Sequence, residues 1–230
     1  MAVHTYTDEE FGDIAIHRLK TARHIKIGVH VNGQLRATMP PKAPKLLLKR
    51  LVHSSRDSIR LLLEQSAAGH YKNGDPIGKS HALLIASGQE LGAKKQQHTL
   101  VVTLPAHLSE SSPQTQQFIR QEVIKILRKE AKAYLPKRLE ALAREHGYSY
   151  EKVRLSHAST RWGSCSSSGT ISLNIALMKL PYALIDYVLI HELCHTRELN
   201  HSDRFWQLVH SADPSYKTHM KTIKSHSPTI

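Results

Sequence analysis

Hydrophobic and polar residues alternate in several short runs of the first half of the chain, the pattern of half-buried β-strands. Residues 24–31 alternate in this way, and residues 34–39 do so again after Asn32-Gly33, a dipeptide typical of tight hairpin turns. Two more strands are predicted at residues 81–86 and 98–104, separated by a turn around residues 88–95 that contains glycine. The first half of the chain is therefore expected to be rich in β-hairpins.

Longer helical patterns separate and follow these strands. Apolar residues recur at helical spacing over residues 43–65, which predicts one continuous helix. A second helix is predicted over residues 112–146, where Ser-Pro supplies the N-cap and the first helical position, and Pro136 is expected to kink or split it. A strongly apolar helix is predicted over residues 182–199, and another after the N-cap candidate Ser202.

Two short strands, at residues 153–157 and 170–174, flank a polar turn rich in Gly and Ser. Together with the helices around them they predict an α+β fold. We expect a β-rich N-terminal region with one helix over residues 1–108. It would pack on a helical region with a small antiparallel sheet over residues 109–230, and the two regions can also fold as one unit.

Composition adds a marked excess of positive charge. Lys and Arg number 32 against 19 Asp and Glu, a formal net charge of +13 at pH 7. This excess suits either a solvated surface or a polyanionic partner such as a nucleic acid or a nucleotide. Two cysteines, Cys165 and Cys194, are too few for a disulfide-stapled secreted scaffold, and the apolar runs are too short to span a membrane. We therefore expect a soluble, cytoplasmic protein.

The strongest chemical signal is the sequence His191-Glu192-Leu193-Cys194-His195 within the apolar helix. Residues four apart on a helix lie on one face, so both imidazoles can reach one metal ion. Glu192 projects about 100° away from His191, within reach of a metal-bound water. The apolar flank strengthens this interpretation, because histidines and a glutamate buried without partners would be unfavourable. Cys194 is better explained as a buried thiol than as a ligand.

A catalytic zinc site needs a third protein ligand and keeps one position open. We predict His201 as this ligand, because Asn200 favours the left-handed conformation that ends a helix and lets the chain turn back toward the metal. Glu198 shares a helix face with His191, but seven residues rise about 10 Å, too far for one shared ion. Two less favoured ligands lie further along the chain, namely His210 and His219.

The metal-site residues belong to a longer set of short motifs: Thr160-Arg161-Trp162-Gly163-Ser164-Cys165, Asn174, Asp186-Tyr187-Val188, His191-Glu192-Leu193-Cys194-His195, Asn200-His201-Ser202 and Phe205-Trp206. This set resembles the signature of the YgjP-like zinc metallopeptidases, most strongly over residues 153–216. The resemblance implies a zincin-like C-terminal region in which His191, His195 and His201 bind one zinc ion and Glu192 is the general base. That family is distantly similar to the zinc peptidase domains of the SprT and Wss1 proteins, which act on proteins crosslinked to DNA.

The motif and the resemblance together favour a zinc-dependent hydrolase that cleaves peptides or proteins with a metal-activated water. A first alternative, which the resemblance also implies, is a metal-dependent pyrophosphatase of nucleoside triphosphates such as UTP. A second is a nucleic-acid-binding protein with a structural zinc, which would need a fourth protein ligand and no Glu192. Nickel, cobalt or manganese can also occupy such a site.

Several supporting roles stay open at this point. The Trp-Gly-Ser stretch is either a sheet edge to which an extended peptide adds or a structural turn. Asp186 either holds a ligand imidazole or is a helix-surface charge. Tyr216 and His210 are alternative stabilisers of a developing oxyanion. Basic residues in the cleft would favour a phosphate substrate, and the candidates are Arg18, Lys20, Arg23, Lys26, Arg154 and Arg161.

Overall fold

A computed structural model describes residues 4–29, 35–67 and 69–230 of the chain. The strands are β1 (His4–Asp8), β2 (Gly12–Arg18), β3 (Lys26–Val29), β4 (Leu35–Met39), β5 (Pro76–Ile77), β6 (His81–Ser87), β7 (Gly92–Gln96), β8 (Thr99–Leu104), β9 (Lys152–Ser156), β10 (Gly163–Cys165) and β11 (Thr170–Asn174). The helices are α1 (Lys45–Ser54), α2 (Arg56–Ala67), α3 (Pro113–Glu145), α4 (Tyr182–Cys194), α5 (Asp203–Ala212) and α6 (Tyr216–Ile223). This mixture confirms the α+β fold class. Within the described ranges, no helix combines the length and the apolar character needed to cross a bilayer.

The chain divides into two compact units, each made of several segments. The first comprises Met1–Asn73, Ile85–Ala93 and Val102–Ile119. The second comprises Gly74–Leu84, Lys94–Val101 and Arg120–Ile230. All the residues of the H-E-x-x-H motif and His201 belong to the second unit.

The first unit contains a four-stranded sheet in the order β1-β2-β4-β3. Strands β3 and β4 pair antiparallel, as the alternation predicts, whereas β2 pairs parallel to β4. One core joins alternate residues of the sheet to α1 and α2: Ile14, Ile16, Leu35, Ala37, Met39, Leu48, Val52 and Ile59. Strands β1 and β2 are absent from the sequence prediction, and the predicted turn at Asn32-Gly33 lies outside the described residues.

The helices of the first half differ from prediction in one respect. The helix predicted over residues 43–65 is interrupted at Ser55, which ends α1 with φ −118° and ψ 21°. Adjacent serines favour this break because their hydroxyls compete for backbone hydrogen bonds. Helix α3 begins as predicted, with the Ser112 hydroxyl accepting a hydrogen bond from the N–H of Thr115 at 3.2 Å. It runs through Pro136 without splitting, held by fully buried leucines on either side.

A second four-stranded sheet has the order β5-β6-β8-β7. Strands β6 and β8 lie where the alternation predicts them. Strand β7 overlaps the turn predicted around residues 88–95, so that part of the prediction is wrong. Its residues are mostly exposed, which explains why no hydrophobic alternation marks this strand.

A three-stranded sheet in the second unit positions the metal motif. Its order is β10-β11-β9, so β10 is an edge strand. The two predicted strands, β9 and β11, pair parallel, so the antiparallel prediction is wrong for them. Strand β10 lies in the stretch predicted as a turn and pairs antiparallel with β11, so the chain reverses both before and after β10. The buried Asn174 side chain ends β11 and donates to the carbonyls of Ala158 (2.7 Å) and Arg161 (2.9 Å), which fixes the segment leading into β10.

Candidate metal centre

Helix α4 carries the motif into the core of the second unit. The helix begins after Pro181 and is buried on nearly every side: Leu184, Ile185, Tyr187, Val188, Leu189, Ile190, Glu192, Leu193 and Cys194 are all buried. The Glu192 side chain is therefore surrounded by protein, and the residue is only 5% exposed. A carboxyl group buried without a partner destabilises the fold, which points to a chemical use for it.

Three histidines converge beside this glutamate. His191 and His195 lie on α4 and its C-cap, and His201 reaches them from the loop before α5. One nitrogen from each imidazole lies within 4.8 Å of the other two. The Nε2 atoms of His191 and His201 are 3.1 Å apart. The structure thus brings together the three residues that the sequence selects.

This cluster fits a tetrahedral metal ion. Two nitrogens bound about 2.05 Å from such an ion are about 3.3 Å apart, close to the His191–His201 separation. Burial lowers the pKa of His191 to about 3, and the neighbouring His195 and His201 add to the effect. Burial also lowers the pKa of His195. Neutral imidazoles are the form that binds metal, so both residues are already in that form at neutral pH.

The end of α4 orients His195. The helix ends at Cys194, earlier than the predicted residue 199, and His195 forms its C-cap. The Nδ1–H of His195 donates to the backbone carbonyl of Glu198 at 3.0 Å, which leaves Nε2 for the metal. Asn200 does not adopt the left-handed conformation that the sequence predicts. The early helix end provides the turn instead.

Two aromatic residues of α5 support the three imidazoles. The fully buried Phe205 ring lies 4.5–4.9 Å from the ring centres of all three histidines. Trp206 stacks on the His201 ring at 5.6 Å, although His201 itself is exposed. Helix α5 is anchored as predicted, because the Ser202 hydroxyl accepts a hydrogen bond from the N–H of Phe205. Phe205 and Trp206 thus form the apolar support of the cluster.

The Glu192 carboxyl group lies against the edge strand β10. A Cβ atom built on Gly163 would be 2.6 Å from Oε1 of Glu192 and 2.9 Å from its Cδ, so any larger residue would force the carboxyl group or β10 to move. Burial raises the pKa of Glu192 to about 8, and the charge of Arg161 opposes this rise. Oε2 of Glu192 is buried and has no hydrogen-bond partner within the described ranges. Once the carboxyl group is ionised, which a cation bound beside it would favour, this oxygen can accept a proton from a water molecule.

A cleft of about 210 Å³ opens at this point between α4 and β10, and α6 contributes to its wall. Its lining includes Trp162, Gly163, His191 and Glu192. Tyr187 also lines the cleft, although the sequence motifs that include it predict no role for its side chain. Burial, with a contribution from Asp213, raises the pKa of Tyr187 to about 12, so its hydroxyl remains a hydrogen-bond donor. The sequence could have indicated that Tyr187 lies near the metal site, because it precedes His191 by four residues and so shares its helix face.

Other candidate residues lie away from the cluster. The Cys194 thiol hydrogen-bonds with the Tyr148 hydroxyl at 3.2 Å, in agreement with a buried structural thiol. Asp186 receives two hydrogen bonds from Arg138, at 2.8 and 2.9 Å, and so is not the support of a ligand imidazole. His219 pairs with Asp213 at 2.7 Å.

The two candidate oxyanion stabilisers line a separate cavity of about 430 Å³ beside α5. Tyr216 stacks on Trp206 at 5.5 Å, and the His210 ring lies 5.8 Å from Tyr216. Neither residue lines the Glu192 cleft. The same holds for Arg18, whose guanidinium donates to backbone carbonyls of residues 40, 41 and 43 in the first unit.

A buried glutamate beside three converging histidines is the arrangement found in metal-dependent hydrolases. A family profile described as "YgjP-like, metallopeptidase domain" matches residues 23–226. The chain therefore belongs to the YgjP-like family, whose metallopeptidase domain implies a bound metal and a peptide or protein substrate. The family description names neither a nucleotide nor a nucleic acid.

Two solved structures are similar to part of the chain. The metallopeptidase zymogen of Pyrococcus abyssi abylysin is 29% identical, with a TM-score of 0.37 over 39% of this chain and 91% of its own. The metallopeptidase zymogen of Methanocaldococcus jannaschii jannalysin is 15% identical, with a TM-score of 0.35 over 39% of this chain and 93% of its own. No curated protein sequence matches the chain.

Proposed function

We propose that this protein is a zinc metallopeptidase that binds one zinc ion per chain through His191, His195 and His201. The observation that carries the proposal is the convergence of three imidazole nitrogens next to a buried, unpartnered carboxyl oxygen of Glu192. When bound, zinc supplies Lewis-acid chemistry, since it makes a water more acidic and polarises the carbonyl to be attacked. Glu192 takes the proton of the attacking water and delivers it to the leaving amine.

The edge strand β10 supports a peptide as substrate. One side of β10 pairs with β11, and among the described residues no strand pairs with its other side. An extended peptide can add to this free edge through main-chain hydrogen bonds, in register with Glu192 and His191 along the cleft. Of the two roles left open for the Trp-Gly-Ser stretch, this arrangement favours the sheet edge, because Gly163 and Ser164 belong to β10 and Trp162 and Gly163 line the cleft.

A structural zinc finds less support in this arrangement. A closed site needs a fourth protein ligand, whereas the metal-ligating cluster in the described part of the chain has three members. The nearby Cys194 thiol is engaged with Tyr148 instead. A structural zinc would also leave the burial of Glu192 without a reason.

Metal removal tests the proposed function. We expect the zinc-loaded chain to cleave unfolded casein, to lose this activity after chelation, and to regain it with about one equivalent of zinc per chain. UTP serves as the control substrate and is expected to remain intact. Cobalt, nickel and manganese are added to separate samples of the stripped protein to identify the preferred ion. Cleavage of casein without metal, or of UTP alone, would overturn the proposal.

A second test is the substitution Gly163→Ala. The added methyl group would overlap Oε1 of Glu192, so either the carboxyl group or β10 must move. We expect kcat on casein peptides to fall about 100-fold, since a displacement near 1 Å has effects of this order. Zinc content should be unchanged, because the three histidines are untouched. The matched control is Gly28→Ala in the edge strand β3, where a Cβ meets no atom within 4 Å; equal rates for the two variants would contradict the prediction.

A further inference from the structure

The outer face of the β10-β11-β9 sheet is polar and basic. Across the strands Ser164 lies opposite Ser172, and Ser172 lies opposite Arg154. Thr170 pairs with Lys152 on the same face. The neighbouring positions, among them the buried Ile171 and Leu173, belong to the other face, because side chains alternate along a strand. The sheet therefore has an apolar inner face and a hydroxyl-rich, cationic outer face.

A cavity of about 560 Å³ lies on this outer face, and we call it the basic pocket. Its lining includes three cations and three hydroxyl-bearing residues of the sheet and its approach: Lys152, Arg154, Arg161, Ser164, Thr170 and Ser172. Within the described ranges, none of its three cations forms an ion pair, in contrast to Arg138, which pairs with Asp186. The hydroxyls of Ser164 and Ser172 likewise have no hydrogen-bond partner in that part of the chain. The pocket thus offers several donors and no acceptor charge.

The basic pocket shares strand β10 with the Glu192 cleft. Gly163 contacts Glu192 on the inner face, and the next residue, Ser164, points to the basic pocket. The side chains of an extended peptide that adds to the free edge of β10 must also point alternately to the two faces of the sheet. If one of its residues lies over the cleft, its neighbours project beside Ser164 on the outer face.

We propose that the basic pocket is a specificity subsite that binds an acidic side chain of the substrate, close in sequence to the cleaved bond. This inference rests on the proposed peptidase function. Arginine is suited to the role because its planar guanidinium binds a carboxylate through two parallel hydrogen bonds. Arg154 supplies this group on the sheet, and Arg161 supplies a second one beside the cleft.

A single acidic side chain fits the pocket better than a nucleic acid does. Binding of a duplex or a long single strand uses an extended stripe of cations along many phosphates. Here three cations and several hydroxyls surround one concavity on a sheet of three short strands. The arrangement matches one or two carboxylates at defined positions.

The test uses two fluorescent peptides of alternating sequence, one with Glu and one with Gln at every second position, separated by Thr. Binding is measured by anisotropy on the zinc-loaded Glu192→Gln variant, which is expected to bind without cutting. We expect the Glu peptide to bind about tenfold more tightly, the size typical of one added charge-assisted hydrogen bond. In the same background, Lys152→Gln with Arg154→Gln should reduce this ratio below about threefold. The matched control, Lys129→Gln with Lys132→Gln, removes two exposed charges from α3 and should keep the ratio.

Equal affinity for the two peptides, or a preference that survives the double substitution in the pocket, would overturn the subsite. The subsite would also be overturned if a single-stranded oligonucleotide bound more tightly than the Glu peptide and if this binding required Arg154. That result would indicate a nucleic-acid site. Hydrolysis by the protein with Glu192 intact separates the two proposals. If that protein cleaves neither peptide nor casein but the charge preference persists, the peptidase function fails and the anion selectivity stands. If it cleaves both peptides equally well, the function stands and the subsite fails.

Discussion

Substitution of Glu192 by Gln is expected to lower kcat on casein peptides by about 1,000-fold, the middle of the range for loss of a general base. The amide has nearly the same shape as the carboxyl group, but it cannot accept the proton of the attacking water. Its surroundings favour a neutral group, because the side chain is buried and Oε2 has no partner in the described part of the chain. The fold should therefore tolerate the change.

Metal content and kinetics are measured on the same preparations of this variant. Zinc should remain at one equivalent, because Glu192 is outside the histidine cluster. The control is Glu140→Gln, an exposed glutamate on α3 that pairs with Arg144 at the surface, and it should keep the full rate. A Glu192→Gln protein with an unchanged kcat would remove the general base from the mechanism, and one that lost its zinc would place Glu192 among the ligands.

The second large effect is expected from His201→Ala, which should weaken zinc binding at least about 100-fold. Two ligands from one helix turn would remain, and these hold a tetrahedral ion poorly without the third. His201 is exposed and lies in the loop between α4 and α5, so its removal should leave the fold intact. Competition with a chromophoric chelator measures the affinity, and circular dichroism verifies the fold.

A matched histidine provides the control for this variant. His210 lies on the exposed side of α5 and is among the alternative ligands in the sequence. His210→Ala should bind zinc as the unmodified protein does, because its ring lies beside Tyr216 and outside the cluster. An unaltered zinc affinity after His201→Ala, or a loss after His210→Ala, would require a different third ligand.

The sequence predicts most of the site because its geometry is local. His191 and His195 are one helical turn apart, and Ser202 as an N-cap limits where His201 can lie. The apolar helix, the start of α3 and the pairing of β3 with β4 also follow from short-range patterns.

What the sequence does not predict depends on contacts between distant segments or on exposed strands. The close approach of Gly163 to Glu192 joins β10 to α4, and no periodicity marks it. Helix α4 ends early, and the His195 side chain then donates a hydrogen bond to the carbonyl of Glu198. The acceptor is a backbone group, so the side-chain pattern does not predict this contact. The parallel pairing of β9 with β11 likewise depends on how the chain reverses around β10.

The placement of all three histidines within one short stretch has a consequence for folding. His191 and His201 are only ten residues apart, so the entropy lost in closing this loop is small even in an unfolded chain. A denatured protein can then retain part of its affinity for zinc, and the metal stabilises the native state by less than its native affinity implies. Glu192, in contrast, meets the edge strand only once the sheet has formed. Bound zinc therefore indicates only that the segment with the three histidines is intact, whereas substrate turnover indicates that the protein is folded.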